Sequence, residues 1–349
     1  MRIGALATTA VRGLRQAGPL WRLGARRLLG RKSPFSMSLS LTHRCNFHCQ
    51  FCALPGQVRA ELSSAQWRQA IDALRAAGMG RASLIGGEPT LREDLGELIR
   101  HLKSRGVHTA INTNGWLVEE RIDDLARLDL ACISLDGPRA LHDRNRRPGS
   151  FDRALRGIER LRRAGVAVVT MSVVSSPDPA PLEAMLELAR DAHALAFFQL
   201  EHDPSADVMA PVAPQLTDQD IAAVARRLLE LKARGLPVGN SSGLLARHLR
   251  EGRRIRGTCA SCFAGRYLGY VFSDGTVAPC LLTQRQVEPE NGLRHGFPEA
   301  FMRLAPPRGP GCACMPIHEM NEVLSLDARA ILNAMELAWG PNRDGIRRR

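Results

Sequence analysis

Cys45, Cys49 and Cys52 lie within eight residues, CNFHCQFC, spaced C-x3-C-x2-C. Thiolates ligate zinc and build iron–sulfur clusters. A closed zinc site or a fully ligated cubane takes four protein ligands, so a trio of thiolates leaves one metal position open to an outside ligand. The spacing differs from the ferredoxin runs. A zinc loop completed by His43 or His48 is the competing arrangement.

The other cysteines are also grouped. Of nine in the chain, five fall late: Cys259, Cys262, Cys280, Cys312 and Cys314. Cys132 stands alone. Arginines interrupt every apolar run near the start, so no cleaved secretory signal is evident. In a chain of 349 residues without an export signal, clustered cysteines point to metal rather than to disulfides.

The elements that must position these residues read as alternating strands and helices. Apolar runs at 37–41, 82–87, 107–112, 131–136, 166–174 and 195–200 are expected as buried strands. Helical patterns fall between them, as at 63–78 and 150–165, each ending in Gly and the first opening on Ser63, a good N-cap. Such alternation predicts an α/β fold with a parallel sheet covered by helices. Six units over 36–235 give a partial (β/α)6 barrel, and chemistry in such sheets collects at the C-terminal strand ends. The cysteine loop follows the first strand and so falls at that end. After residue 235 the pattern changes, and 265–280 reads as a β-hairpin around Asp274-Gly275. The expected organisation is a basic helix at 1–35, the barrel at 36–235, a small cysteine-bearing domain at 236–325 and a helix with basic tail at 326–349.

With these motifs in order, the sequence resembles the radical S-adenosylmethionine (SAM) enzymes. C-x3-C-x2-C after the first strand carries the resemblance, followed by GGEP (Gly86, Gly87, Glu88, Pro89) after the second, NTNG (Asn112 to Gly115) after the third and SLDG (Ser134 to Gly137) after the fourth. The resemblance implies that Cys45, Cys49 and Cys52 hold a 4Fe–4S cluster whose open iron binds SAM. It implies that the GGEP edge receives the SAM amino group, and that Asn112, Asn114, Ser134 and Asp136 reach its ribose and methionyl parts. Arg146, in LHDRNRRPGSFDRAL, matches an Arg that contacts the SAM carboxylate or substrate; a surface salt bridge is the alternative. Reduction of the cluster would cleave SAM to methionine and a 5′-deoxyadenosyl radical, which abstracts a substrate hydrogen.

Cys259-x2-Cys262, the hairpin and Cys280 resemble the start of the SPASM/twitch domain of the same family, although the C-x2-C-x5-C-x3-C core of a full SPASM domain is absent. That implies a shortened domain with one auxiliary 4Fe–4S cluster, held by Cys259, Cys262, Cys280 and either Cys312 or Cys314. A zinc ribbon is the alternative. Candidate catalytic groups are Glu201 and Asp203, in QLEHDPSAD after the sixth strand, and Cys132, whose thiol would donate a hydrogen atom unless it only packs.

Net charge is +13, and the first acid is Glu61. Residues 1–33 read as a basic amphipathic helix suited to an anionic membrane surface, or as a solvated helix. Residues 1–35 are too short for a leader-binding domain. The charge also allows a zinc-containing nucleic-acid-binding protein, but aromatics are only 5%, no zinc-finger spacing occurs, and GGEP has no task in that reading. No run reaches the roughly 18 apolar residues of a membrane span. The expected protein is cytoplasmic, membrane-associated if residues 1–33 bind lipid, and reduced by a flavodoxin or ferredoxin. Its substrate is a lipid, cofactor precursor, metabolite or peptide, and no nucleic acid is expected as partner.

Overall fold

The computed structural model describes residues 30–49, 51–174, 176–200, 216–252, 255–256, 262–281, 287–307, 311–312 and 314–325. The basic segment 1–29, Glu201, Asp203, Cys259 and the tail 326–349 lie outside them, as does the side chain of Cys312.

The six expected strands form: β1 Ser36–Thr42, β2 Arg81–Gly86, β3 His108–Thr113, β4 Leu130–Ser134, β5 Ala167–Val174 and β6 Leu195–Leu200. All pair in parallel in sequence order, giving the curved sheet of a partial barrel. Helices link them where the patterns placed them. Helix Ser64–Ala77 starts on a capping box, Ser63 with Gln66, and stops at Gly78 in the left-handed region, φ +118°. Helix Ser150–Arg163 precedes Gly165, φ +80°.

The strands are two-faced rather than apolar on both sides. Met37, Leu39, Leu41, Leu84, Ile111 and Ile133 point outward into the core shared with Trp67, Leu74, Leu98 and Ile99 of the covering helices. The opposite, concave face carries Ser36, Ser38 and Ser40 of β1, Arg81 and Ser83 of β2, His108, Ala110 and Asn112 of β3, and Cys132 and Ser134 of β4, by strand alternation and register. Ile85 and Leu130 share that face, but its residues on these four strands are mostly polar, which suits an interior that holds a ligand.

The hairpin forms as expected, with β8 Leu268–Val271 and β9 Thr276–Ala278 antiparallel after the short β7 Ile255–Arg256. Its placement is less local. Strand β8 pairs in parallel with β1, Ser36 to Leu268 through Leu39 to Val271, and extends the barrel sheet beyond its first strand. With β10 Glu290–Asn291 the order is β10-β9-β8-β1-β2-β3-β4-β5-β6. Strand β11, Gly311–Cys312, pairs with β7 in a separate ribbon. Gly269 allows the close seating of β8: a Cβ there would stand 2.7 Å from Met37 Cε and 2.8 Å from Phe301 Cε2. Helix Met315–Leu324 closes on the segment after β6, where Glu319 accepts from Ser241 N and Glu322 from the Ser241 hydroxyl. No helix among the described residues is long and apolar enough to cross a membrane.

Two predictions follow from this packing. Gly269→Val is expected to destabilise the whole barrel by about 1–3 kcal/mol through overpacking. Urea unfolding followed by fluorescence, with Trp67 and Trp116 both in the barrel, checks it; an unchanged midpoint would mean that the hairpin is not integrated with the sheet. Burial raises the Glu319 carboxyl to about 7, against hydrogen bonds from Ser241 that lower it, with Glu322 adding to the rise. Between the ordinary carboxylate value of 4.5 and about 7, the folded chain keeps a proton that the unfolded chain releases. Stability should therefore fall as pH rises across that window and level off above it, and Glu319→Gln should flatten the profile.

Candidate active site

The three-cysteine loop leaves the end of β1, and its neighbours β2, β3 and β4 each send a turn against it. The β2 turn makes the closest approach. Gly87 N donates to Thr42 O at 2.8 Å and Glu88 N to Arg44 O at 2.8 Å. A Cβ on Gly86 would lie 2.2 Å from Thr42 O, and one on Gly87 would lie 2.2 Å from Arg44 O. Those are backbone atoms that cannot swing aside, so the paired glycines are a steric requirement.

Glu88 ties this turn to the next. Its buried carboxylate accepts from Thr90 N (3.1 Å), Thr90 Oγ1 (2.6 Å), Thr113 Oγ1 (2.7 Å) and Asn114 N (2.7 Å). Burial pushes the carboxyl upward and these hydrogen bonds pull it back. Pro89 opens the short 3-10 turn that holds the side chain in place. Asn114 continues outward: its Nδ2 donates to Asn46 Oδ1 at 2.8 Å, inside the cysteine loop, and its Oδ1 accepts from Trp116 N at 2.9 Å. Phe47 packs edge-on to Trp116, ring centroids 5.7 Å apart.

The β4 turn contributes an ion pair. Arg146 binds Asp136 through two hydrogen bonds of 2.6 and 2.9 Å, with both side chains shielded from solvent. Asp136 also accepts from Val173 N, and its own N–H bonds His142 Nδ1. The same guanidinium reaches toward the loop, with Nη1 4.0 Å from Cys49 Sγ and its centre 5.4 Å from the Phe51 ring centroid.

Cys45, Cys49 and Cys52 are partly buried. Burial raises all three thiols, Cys45 to about 12 and Cys49 to about 11, and the mutual repulsion of their ionised forms adds to the rise at Cys45 and Cys49. Among the described residues no three of Cys, His, Asp and Glu are gathered as tightly as metal ligation requires. The donor set still suits an iron–sulfur cluster. It is all sulfur, and the nearby carboxylates Glu88 and Asp136 are committed to internal donors. His43 bonds Gln57 O through Nδ1 and packs edge-on against Phe272, and His48 is exposed.

The remaining expected residues separate by position. Asn112 is exposed on the concave face of β3 and Ser134 is partly accessible on β4. Cys132 is buried on the same face, its thiol pushed up to about 12 by burial. Of the late cysteines, Cys262, Cys280 and Cys314 are described and form no disulfide. Cys262 Sγ accepts from Asn321 Nδ2 at 3.4 Å and from Ala264 N at 3.5 Å. The buried Tyr270 phenol is raised by burial, and the nearby Cys280 and Cys52 add to the rise.

Three residues here had escaped sequence reading: Asn46, which braces the loop, and the partly accessible pair Arg81 and His108 on the concave face. Asn46 lies inside the motif, and a polar residue between two cysteines was the available signal.

Residues 39–189 match the family model described as the Radical SAM superfamily. Over those residues, which hold the strands and turns that carry the motifs, the chain is similar to radical SAM proteins. Among curated proteins, it is 28% identical over 209 residues to an Fe-coproporphyrin III synthase of Methanosarcina barkeri, covering 57% of this chain and 52% of that one. It is 36% identical over 151 residues to the mycofactocin maturase MftC of Mycobacterium tuberculosis, covering 42% and 39%. The chain thus spans about half, or less, of the curated relatives it matches. Among solved structures it resembles Streptococcus suis SuiB bound to S-adenosylmethionine, with TM-score 0.66, 15% identity and coverage of 80% and 68%. That likeness bears out the partial barrel. None of these likenesses supports the zinc and nucleic-acid alternative.

The glycine pair yields the prediction for this site. Gly87→Ala should leave the protein folded but lower the iron retained after anaerobic reconstitution several-fold, because the added methyl displaces Arg44 and with it the cysteine loop. Iron content per chain and visible charge-transfer absorbance measure it; full iron loading would contradict the close-approach argument.

Proposed function

We propose that this chain is a radical SAM enzyme that abstracts a hydrogen atom from an organic substrate bound inside the barrel. The observation that carries the reading is the three-thiol loop after β1, braced by the turns of β2, β3 and β4. Cys45, Cys49 and Cys52 hold a 4Fe–4S cluster with one iron left for SAM. When bound and reduced, that pair supplies the 5′-deoxyadenosyl radical.

The chain's own groups then have distinct tasks. The backbone edge at Gly86 to Pro89 presents carbonyls for the SAM ammonium, because the Glu88 carboxylate is already filled by four donors. Asn112 and Ser134, accessible on the concave face, are the polar contacts for the sugar and methionyl parts. Asn114 braces the loop rather than meeting SAM directly. Asp136 holds Arg146, and Arg146 sets a positive charge beside Cys49. The thiol of Cys132 keeps its hydrogen at neutral pH and faces the interior, which supports its role as a late hydrogen-atom donor. Glu201 and Asp203, outside the described residues, remain candidates for substrate contact.

In the same reading, one auxiliary 4Fe–4S cluster sits on Cys259, Cys262, Cys280 and either Cys312 or Cys314. Asn321 Nδ2 and Ala264 N already donate to Cys262 Sγ, an arrangement that suits a cluster-ligating sulfur. A flavodoxin or ferredoxin supplies electrons in the cytoplasm, and residues 1–33 offer a peripheral membrane contact. The names of the relatives point to a peptide or a cofactor precursor as substrate, ahead of a lipid or small metabolite.

The test is release of 5′-deoxyadenosine from SAM under strong reductant in anaerobically reconstituted protein. Wild type should release it and Cys49→Ala should lose it to background. Equal release by both would remove the assignment of the radical site.

A further inference from the structure

Among the described residues, three guanidinium groups lie deep in the fold or line its interior, and two are neutralised. Arg92 pairs with Asp94 and Glu61 at 2.7 and 3.3 Å, and Arg146 pairs with Asp136 at 2.6 Å. Arg81 has no such partner. It is only partly accessible, yet its hydrogen bonding among the described residues is one contact, Nη1 to Ser36 Oγ at 3.3 Å. Among the described residues no carboxylate pairs with it; burial lowers its affinity for the proton, and the Cys132 thiol raises it. An isolated buried cation is among the costliest groups a fold can carry, and it is tolerated where an anion arrives to meet it.

The position of Arg81 makes that anion a guest of the barrel. Arg81 is the first residue of β2 and stands in register with Ser36 of β1 and His108 of β3, on the concave face at the end opposite the cysteine loop. The next residues up that face are small, Ser83 on β2 and Ala110 on β3, so no bulky side chain of these two strands stands over the guanidinium. Arg81 and His108 each keep part of their surface accessible although protein encloses them, which is the condition of a cavity wall. His108 adds a second unmet group, since its Nδ1 is buried with no hydrogen-bond partner. Burial and the Arg81 charge hold the imidazole down at about 4, so it is neutral and offers one N–H. The nearest acid, Asp129, is taken by Lys103 at 2.5 Å and by Thr109 N at 2.8 Å.

We propose that Arg81, His108, Ser36 and Ser83 form an oxyanion site on the barrel floor that receives a carboxylate or phosphate of the substrate. A planar guanidinium with neighbouring hydroxyl and imidazole donors is suited to such a group, which it grips through paired N–H bonds. A substrate anchored there extends up the interior past Cys132 toward the cysteine loop, so the floor fixes which carbon is presented for hydrogen abstraction. The assignment of the anion to the substrate rests on the radical SAM reading; the site itself does not.

The experiment is calorimetric titration of the reconstituted full chain, without reductant or SAM and in low chloride, using hexanoate, inorganic phosphate and the neutral hexanamide. Saturable one-to-one binding of hexanoate or phosphate, but not of hexanamide, is expected, and the preferred anion tells carboxylate from phosphate. Arg81→Gln should weaken that binding at least about tenfold, as loss of a charged hydrogen-bond partner does. If Arg81→Gln does not fold, Ser83→Val narrows the space above the guanidinium, keeps the charge and should also weaken binding. Wild type that binds neither anion, or a folded variant that binds as well as wild type, overturns the proposal. Because the titration needs no SAM cleavage, its failure is distinguishable from failure to release 5′-deoxyadenosine.

Discussion

Everything at the top of this barrel depends on how closely two stretches of backbone approach. The Gly86-Gly87 peptide lies against Thr42 to Arg44 with no room for a side chain, and two N–H bonds fix the contact. A cysteine loop has little internal structure of its own, so its shape must come from outside. Here it comes from a rigid strand end on one side and from Glu88, Asn114 and Arg146 on the others. The carboxylate of Glu88 is the hub of that bracing, because it bonds the turn after β2 to the turn after β3. Leaving those donors facing a buried neutral group would cost about 1–3 kcal/mol each, which makes the arrangement all-or-none.

The same division of labour runs through the sheet. Outward residues of β1 to β6 form one continuous core with the helices, while the inward residues of β1 to β4 include serines, small side chains and isolated polar groups. Stability is therefore concentrated on the outer face and ligand chemistry on the inner. The cationic groups on the inner side sit at different heights: Arg146 is neutralised by Asp136 beside the cysteines, and Arg81 lies unpaired among the described residues at the floor. Cys132 feels both charges, which places its thiol between them.

Much of this was legible in the sequence. The strands fell within a residue or two of the apolar runs, because strong punctuation bounds them: Ser63 and Gly78 around the first helix, Gly165 before β5. The motifs also fell at the strand ends where the alternation put them. What escaped was non-local. The hairpin was readable from Asp274-Gly275, but its pairing with β1 was not, because nothing local in LGYV names a partner so distant in the chain. The roles of Glu88 and Asp136 were read as facing a ligand, whereas the structure spends both carboxylates internally, a distinction that only the positions of Thr113, Asn114 and Arg146 reveal. Nothing local in the sequence marks Arg81; only the register with Ser36 and His108 turns it inward.

The central claim is that the loop holds a cluster with one iron left for an outside ligand. Electron paramagnetic resonance of the reduced, reconstituted protein, recorded with and without SAM, addresses it directly. The account predicts that SAM alters the signal of the cluster on Cys45, Cys49 and Cys52, and that the altered signal is missing when Cys49 is replaced by Ala. A loop found to hold zinc, or a cluster whose signal is indifferent to SAM, would contradict it.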